Sequence, residues 1–167
     1  MTGWRNAVFS CALAAVGCGG VSLRVIDGPG GRAAAPTSVA VLGFDSGDAD
    51  VSGRVGDGCA AGAFRAGVRA VERQRVDAML RERGLERSGE VGPGWYRQLG
   101  ELLGVDAFLA GSVRPTEAGN VSNLSGRLIA AGSGSVLRIV DAGQADLISI
   151  EPFAIGERAC LALLEGR

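Results

Sequence analysis

The sequence predicts a single small α/β domain in which helices pack on a mixed sheet of about five strands. Two short segments, 38–44 and 107–113, are apolar almost throughout, which is typical of strands buried on both faces. The segments between and after them have the period of amphipathic helices. The resulting order of strand, helix, strand, helix, helix, strand, hairpin and helix predicts a sheet covered by helices.

A first helix is predicted over residues 52–66, directly after the first strand. Its buried side is predicted to carry Val55, Cys59, Ala63 and Phe64. Glycine counts against a helix here, because each one costs up to ~1 kcal/mol relative to alanine. Four of them lie within the segment: Gly53, Gly56, Gly58 and Gly62.

The arginine-rich segment 68–85 is either a nucleic-acid patch or the joint between a strand and a helix. Residues 67–73 alternate as a strand does, and from Gln74 the period becomes helical until Gly84, with Asp77 and Arg81 one turn apart. Gly84 places Leu80 and Leu85 as partners in a Schellman contact. The acids matching the arginines are Glu72, Asp77, Glu82, Glu86 and Glu90. This mixture of signs predicts a solvated joint and no nucleic-acid partner.

The remaining elements follow from the same patterns. Pro93 begins a helix that ends at Gly104, with a buried stripe of Trp95, Leu99, Leu102 and Leu103. After the strand at 107–113, the segments 123–130 and 135–140 predict an antiparallel hairpin, and 146–150 a short strand. A last helix is predicted over 152–164, with its inward side formed by Ile155, Ala159, Cys160 and Leu163.

The N-terminus is interpreted as a lipoprotein signal. Residues 1–17 form the predicted signal peptide, in which Arg5 precedes an apolar run too short to span a bilayer. The sequence Ala-Val-Gly-Cys ending at Cys18 resembles a bacterial lipobox with alanine in place of the usual leucine. Cys18 would then carry lipid such as palmitate. The alternative is an N-terminal helix in which Cys18 is merely a small apolar residue.

The predicted signal divides the chain into three parts. Residues 18–36 are the predicted lipid anchor and flexible linker, with a maximum reach of ~60 Å, and residues 37–167 are the predicted periplasmic domain. Gly19 follows Cys18 and no aspartate does, a pattern that favours the outer membrane.

Composition removes several kinds of catalytic site. The chain has no histidine, so a Ser/His/Asp triad and an HExxH zinc site are excluded. The 17 basic and 18 acidic side chains create no overall field toward nucleic acid. Glu72 and Arg73 lie at the strand-to-helix joint, where an ion pair or a cap is expected. We therefore predict neither a catalytic residue nor an enzyme.

Two patterns resemble ligand sites and are interpreted otherwise. Residues 56–61 fit GxGxxA, with Glu72 as a ribose-binding acid, but they lie too far from the end of the first strand for a nucleotide fingerprint. Asp45, Asp48 and Asp50 lack the spacing of a calcium loop and are interpreted as loop acids, one of which caps the next helix. No cofactor and no metal are predicted.

Cys59 and Cys160 are the cysteines that follow Cys18. In an oxidising periplasm they could form a disulfide, and the alternative is two buried small apolar side chains. The sequence leaves both open.

The succession of segments 39–44, 71–73, 77–85, 99–113, 126–129 and 134–137 resembles the CsgG family, whose founding member forms the curli secretion channel. The resemblance covers Val39 to Val140. Relatives include envelope lipoproteins, one of which activates penicillin-binding proteins. The resemblance implies a small periplasmic α/β domain with an outer-membrane lipid anchor. The acid that frequently follows Arg-Leu-Ile in the family is replaced by Ala130.

The resemblance implies two alternative functions. One is a lipid-anchored protein that contacts other envelope proteins during envelope assembly or export. The other is a subunit of a curli-type secretion channel, which would require two long inserted hairpins to cross the membrane. Residues 114–122 and 141–146 are too short and too polar for such hairpins, so the first function is favoured. A homo-oligomer is compatible with both.

Overall fold

The computed structural model describes residues 22–28, 35–82, 92–143 and 150–166. They form an α/β domain with one mixed sheet, as predicted, although the sheet has six strands and not about five. The strands are β1 (Ser22–Asp27), β2 (Ser38–Asp45), β3 (Arg69–Val71), β4 (Ala107–Pro115), β5 (Val121–Ala130) and β6 (Val136–Gly143). The helices are α1 (Ala49–Arg65), α2 (Arg73–Glu82), α3 (Pro93–Leu103) and α4 (Pro152–Glu165).

The sheet has the order β1-β6-β5-β4-β2-β3. Strand β2 is parallel to β3 and β4, and the pairs β4–β5, β5–β6 and β1–β6 are antiparallel. Strand β2 contributes to a core on each face, since Val39 and Val41 pack with α1 and α4 while Ala40 and Leu42 pack with α2 and α3. This explains why its sequence is apolar throughout rather than alternating.

Strand β1 corrects the prediction of a flexible linker over 18–36. Residues Ser22–Asp27 pair antiparallel with β6, and Leu23 and Val25 pack against the core under α4. The physical reason is the alternation in Ser-Leu-Arg-Val-Ile-Asp, which gives one half-buried face to an edge strand. The predicted linker residues that remain between β1 and β2 are 28–36.

Arg138 of β6 connects β1 with the end of α4. Its guanidinium is almost buried, donates from Nη1 to the carbonyl oxygens of Leu163 and Leu164 at 2.8 and 2.9 Å, and donates from Nε to Asp27 Oδ1 at 3.2 Å. A buried arginine is tolerated when its donors are satisfied in this way. The last turn of α4 and the end of β1 are therefore held by the same side chain.

The helix ends agree with the sequence signals where they are described. Pro93 begins α3, and Gly104 ends it with a left-handed φ of 62°. The predicted strand at 67–73 is shorter, because Arg73 already begins α2. The predicted Schellman contact at Gly84 lies outside the described residues. Of the predicted strand 146–150, only Ile150 is described, and it forms an isolated antiparallel bridge with Val121.

Helix α1 forms despite its glycines because two of them lie directly against α4. A Cβ atom added at Gly58 would collide with the carbonyl oxygen of Phe153, and one added at Gly62 would collide with that of Glu157. Gly156 of α4 is equally close to the carbonyl oxygen of Val55. The backbones of the two helices can approach this closely only without side chains at these positions. The helical cost of Gly58 and Gly62 is thus offset by packing, whereas nothing lies within 4 Å of a Cβ atom at Gly53 or Gly56.

Phe64 is 83% exposed, and the prediction that it is buried was wrong. The buried stripe of α1 passes through Val51, Val55, Cys59 and Ala63, at every fourth residue. Phe64 follows Ala63 and therefore lies about 100° around the helix from that stripe. The other three predicted positions, Val55, Cys59 and Ala63, are confirmed as buried.

We expect Gly58→Ala to destabilise the protein by about 1–3 kcal/mol, because the new methyl group forces α1 and α4 apart. Gly53→Ala is the matched control. Nothing lies within 4 Å of a Cβ atom at Gly53, so that change should stabilise α1 by up to ~1 kcal/mol. Urea denaturation of both variants measures the difference. A Gly58→Ala protein that is as stable as Gly53→Ala would contradict the close contact.

Candidate interaction surfaces

The aspartates after β2 shape the turn into α1. Asp48 is the N-cap of α1, and its Oδ1 accepts from the amides of Asp50 and Val51 at 2.9 and 3.1 Å. Asp45 Oδ1 accepts from the amide of Gly47 at 3.2 Å. These are the loop and capping roles predicted for them. Among the residues that the structure describes, no group of three or more acids and cysteines is placed to hold a metal ion.

The GxGxxA pattern at residues 56–61 lies in the middle of α1. Its amides point along the helix, two turns after the N-cap at Asp48, whereas a phosphate-binding loop requires them at the helix start. Gly58 serves the contact with α4 instead. This geometry agrees with the interpretation that the pattern is not a nucleotide site.

Glu72 and Arg73 line a cleft of about 550 Å³ between α1 and α2, at the carboxyl ends of β2 and β3. Arg73 Nε lies 3.5 Å from Asp77 Oδ2, so the expected ion pair forms one helical turn along α2 and not with its neighbour. Arg81 Nε donates to the main-chain carbonyl of Asp77 at 3.2 Å. Asp57 and Gln74 complete the polar wall of the cleft.

Cys59 and Cys160 meet at the centre of the contact between α1 and α4. Both are fully buried, their Cα atoms are 5.1 Å apart and the structure joins their sulfur atoms. This Cα separation is within the range of native disulfides. Whether the pair is oxidised in the cell stays a prediction. Cys18, the predicted lipid site, lies outside the described residues.

Ion pairs flank this contact at both ends. Arg54 of α1 pairs with Glu151, and Arg65 Nη1 lies 2.9 Å from Glu157 Oε1 of α4. Glu151 also caps α4. Burial acts to raise the pKa of Glu151, but hydrogen bonds from the amides of residues 154 and 153, together with the charge of Arg54, outweigh it and lower the pKa.

Asp106 was not singled out from the sequence, although it joins the starts of two parallel strands. Its Oδ2 accepts from the amide of Thr37 at 2.9 Å, from Thr37 Oγ1 at 2.6 Å and from the amide of Ser38 at 3.0 Å. The hydrogen bonds from Thr37 lower the pKa of Asp106, and those from Ser38 add to the effect. Its position between the helix stop Gly104 and β4 was the only available signal.

One face of the sheet is exposed over β1, β6, β5 and part of β4. Strand pairing places its side chains in cross-strand rows, and helices α2 and α3 cover β2, β3 and the first part of β4 instead. We call it the open sheet face, formed by Ser22, Arg24, Ile26, Ser112, Arg114, Asn123, Ser125, Arg127, Ile139 and Asp141. The polar alternation in β5 and β6 was the sequence signal for this face.

A family model for the curli production assembly/transport component CsgG matches residues 63–150, just over half of the chain. The chain belongs to the CsgG family. The match includes β3, all of α2 and α3, and the three central antiparallel strands. No curated protein sequence matches the chain.

Solved structures of PelC and of lipoprotein GNA1162 show the same fold. The PelC dodecamer from Paraburkholderia phytofirmans has a TM-score of 0.51 and 14% identity, over 86% of this chain and 95% of that chain. Lipoprotein GNA1162 from Neisseria meningitidis has a TM-score of 0.50 and 20% identity, over 68% and 86%. The LpoB C-terminal domain from Escherichia coli has a TM-score of 0.45 and 14% identity, over 71% and 90%. At these identities the likeness to PelC and GNA1162 shows the fold alone.

No helix that the structure describes in this CsgG-family chain is both long and apolar enough to cross a bilayer.

We expect the oxidised protein to show no alkylation at Cys59 or Cys160 until it is reduced, when mass spectrometry should detect two added groups. The bond closes a loop between residues 101 positions apart, so the variant with both cysteines changed to alanine should lose up to about 4 kcal/mol of stability. Reductant should destabilise the wild type but not this variant. Alkylation of both cysteines in the unreduced, folded protein would contradict the bond.

We expect Asp106→Asn to lower the stability at pH 7 by about 1 kcal/mol, because a charged acceptor of three hydrogen bonds is lost. The folded-state pKa of Asp106 is below its ordinary value of 3.8, so its contribution is present above that pH and is lost as pH falls through the folded pKa. Thermal melts should therefore converge for wild type and variant in strong acid. Asp57→Asn is the control, and an equal loss there would contradict the assignment.

Proposed function

We propose that this CsgG-family chain is a lipid-anchored envelope protein whose periplasmic domain acts through contacts with other proteins in envelope assembly or export. Family membership over residues 63–150 carries the proposal. The lipobox-like sequence ending at Cys18 supports anchoring at the outer membrane. Both features are typical of envelope lipoproteins.

Phe64 supplies a candidate contact for an envelope protein. Its side chain is 83% exposed at the end of α1, beside a shallow groove lined by Gly67, Val68 and Ala70 along the edge strand β3. An aromatic side chain beside an apolar groove is the composition found at the centre of protein interfaces. We propose that a partner covers Phe64.

A homo-oligomeric channel subunit is the second candidate. The observation that favours it is the sheet itself, since β1 and β3 lie at opposite ends and, among the described strands, each has one edge without a partner strand. Two different surfaces of this kind can join copies head to tail into a ring. The short connections between β4 and β5, residues 116–120, and between β5 and β6, residues 131–135, favour the first candidate.

We expect Cys18→Ala to abolish incorporation of an alkyne-labelled fatty acid in cells and to release the protein from the membrane fraction. Cys11→Ala is the matched control and should leave labelling unchanged, because Cys11 belongs to the predicted signal peptide. Loss of label is read on a gel, and release by membrane sedimentation. Labelling of the Cys18→Ala protein, or no label on the wild type, would refute the anchor.

The protein contact is tested in the same cells. Photocrosslinking from position 64 should capture envelope proteins, and Phe64→Ser should reduce capture when the probe is placed at Val68. Arg158→Ser, an exposed change on α4, is the control. Electron microscopy of the extracted protein separates the candidates, since rings would favour the channel subunit.

A further inference from the structure

Strand β1 brings the sheet close to the proposed lipid site. Three residues, 19–21, separate Cys18 from Ser22, the first residue of β1. Four Cα–Cα steps span at most ~14 Å, so the lipidated cysteine cannot lie farther than that from the sheet. A linker of residues 18–36 would have allowed several times this distance. Lipidation of Cys18 would therefore hold the domain close to the membrane surface.

The open sheet face begins at this end of β1. Ser22 is in register with Gly143, which is in register with Asn123, which is in register with Arg114. Arg24 follows two residues after Ser22 on the same side of the strand. The face thus starts at the point where the chain leaves the anchor.

The charge of this face differs in sign from that of the whole chain. It carries Arg24, Arg114 and Arg127 against the single acid Asp141, while the chain has a formal net charge of −1. The guanidinium groups of Arg114 and Arg127 are exposed and make no hydrogen bond or ion pair with any described residue. Other arginines are engaged, as Arg54, Arg65, Arg73 and Arg138 show.

The spacing of the arginines suits an extended array of anions. Arg114 is paired with Asn123, and Arg127 lies four residues farther along β5, which corresponds to about 13 Å. Arg24 lies on β1, two strands away from β5. These side chains cannot converge on one phosphate, but each can meet a different phosphate in a surface. Ile26, 40% exposed, and half-buried Ile139 lie beside Arg127.

We propose that the open sheet face rests on the phosphate groups of anionic phospholipid headgroups beside the anchor. This inference rests on the proposed lipidation of Cys18. Each arginine attracts the anionic surface weakly, and the short tether supplies the high local concentration that makes weak contacts sufficient. Helix α3 borders the face at β4, so the domain tilts with β1 nearest the bilayer. The Phe64 groove, at the opposite edge of the sheet, then faces away from the membrane.

The test uses full-length lipidated protein in vesicles, with a fluorophore on Ser125→Cys at the centre of the face. Quenching by acrylamide, which is uncharged and so is not itself repelled by an anionic surface, is compared between vesicles of phosphatidylethanolamine with one quarter phosphatidylglycerol and vesicles of phosphatidylcholine alone. We expect quenching to fall several-fold in the anionic vesicles and to recover at high salt, which screens the attraction. The double variant Arg114→Glu with Arg127→Glu should also restore quenching on the anionic vesicles. Arg75→Glu with Arg158→Glu, exposed and away from the face, should not.

Each outcome has one meaning. Protein that lacks lipid and does not sediment with the vesicles refutes the proposed anchor. If the fluorophore on anchored protein is quenched equally on both kinds of vesicle, the proposal for the face is overturned. It is also overturned if the reduced quenching on anionic vesicles does not change with salt concentration. Protection in detergent without phospholipid would mean that a protein covers the face, which also overturns it. The measurement at high salt uses protein that keeps Arg114 and Arg127, so it tests the proposal even if the charge-reversal variant fails to fold.

Discussion

The structure depends on the close approach of α1 and α4. Gly58, Gly62 and Gly156 remove the side chains that would keep the two backbones apart. The contact brings Cys59 to Cys160, and two ion pairs close its ends. The van der Waals attraction between packed atoms weakens strongly when they separate by a fraction of an ångström. The small residues at this contact therefore determine how the α1–α4 layer lies on the sheet.

The placement of that layer explains the asymmetry of the other face. With α1 and α4 filling one side, the parallel strands β2, β3 and β4 receive α2 and α3 on the other. On that side α3 reaches β5 and β6 only at Ile129 and Val136, and no described helix covers β1 or the rest of β5 and β6, so those residues alternate between a buried and a solvated set. An antiparallel half-sheet tolerates this, whereas a parallel one needs both faces covered. The surface available for binding is a consequence of topology.

Much of this architecture was predictable from local patterns, and the exceptions have physical causes. The apolar strand β2, the helix stop at Gly104 and the hairpin of β5 and β6 are local signals and were predicted. Strand β1 was missed because an edge strand has only one half-buried face, and its pairing with β6 is remote in sequence. Phe64 was wrongly assigned to the buried side because it directly follows Ala63 in the sequence. Consecutive residues nevertheless lie about 100° apart around a helix.

The candidate surfaces were less predictable than the fold. Cys59 and Cys160 could be proposed as a pair, since few cysteines were available, but Asp106 and the open sheet face depend on which strands are neighbours. A single sequence does not contain that information directly. The proposed contacts with membrane and protein depend on which strands lie next to each other even more than the core does.

Arg138 has a further consequence for how the domain comes apart. Its single guanidinium satisfies the last carbonyl groups of α4 and the carboxylate of Asp27, so the two terminal elements share one buried cation. Fraying of either element would remove part of the hydrogen bonding of this nearly buried cation, so the stability of each element depends on the other. The ends of the domain should therefore resist proteolytic trimming together and unfold as one cooperative unit, although they are more than a hundred residues apart in the chain.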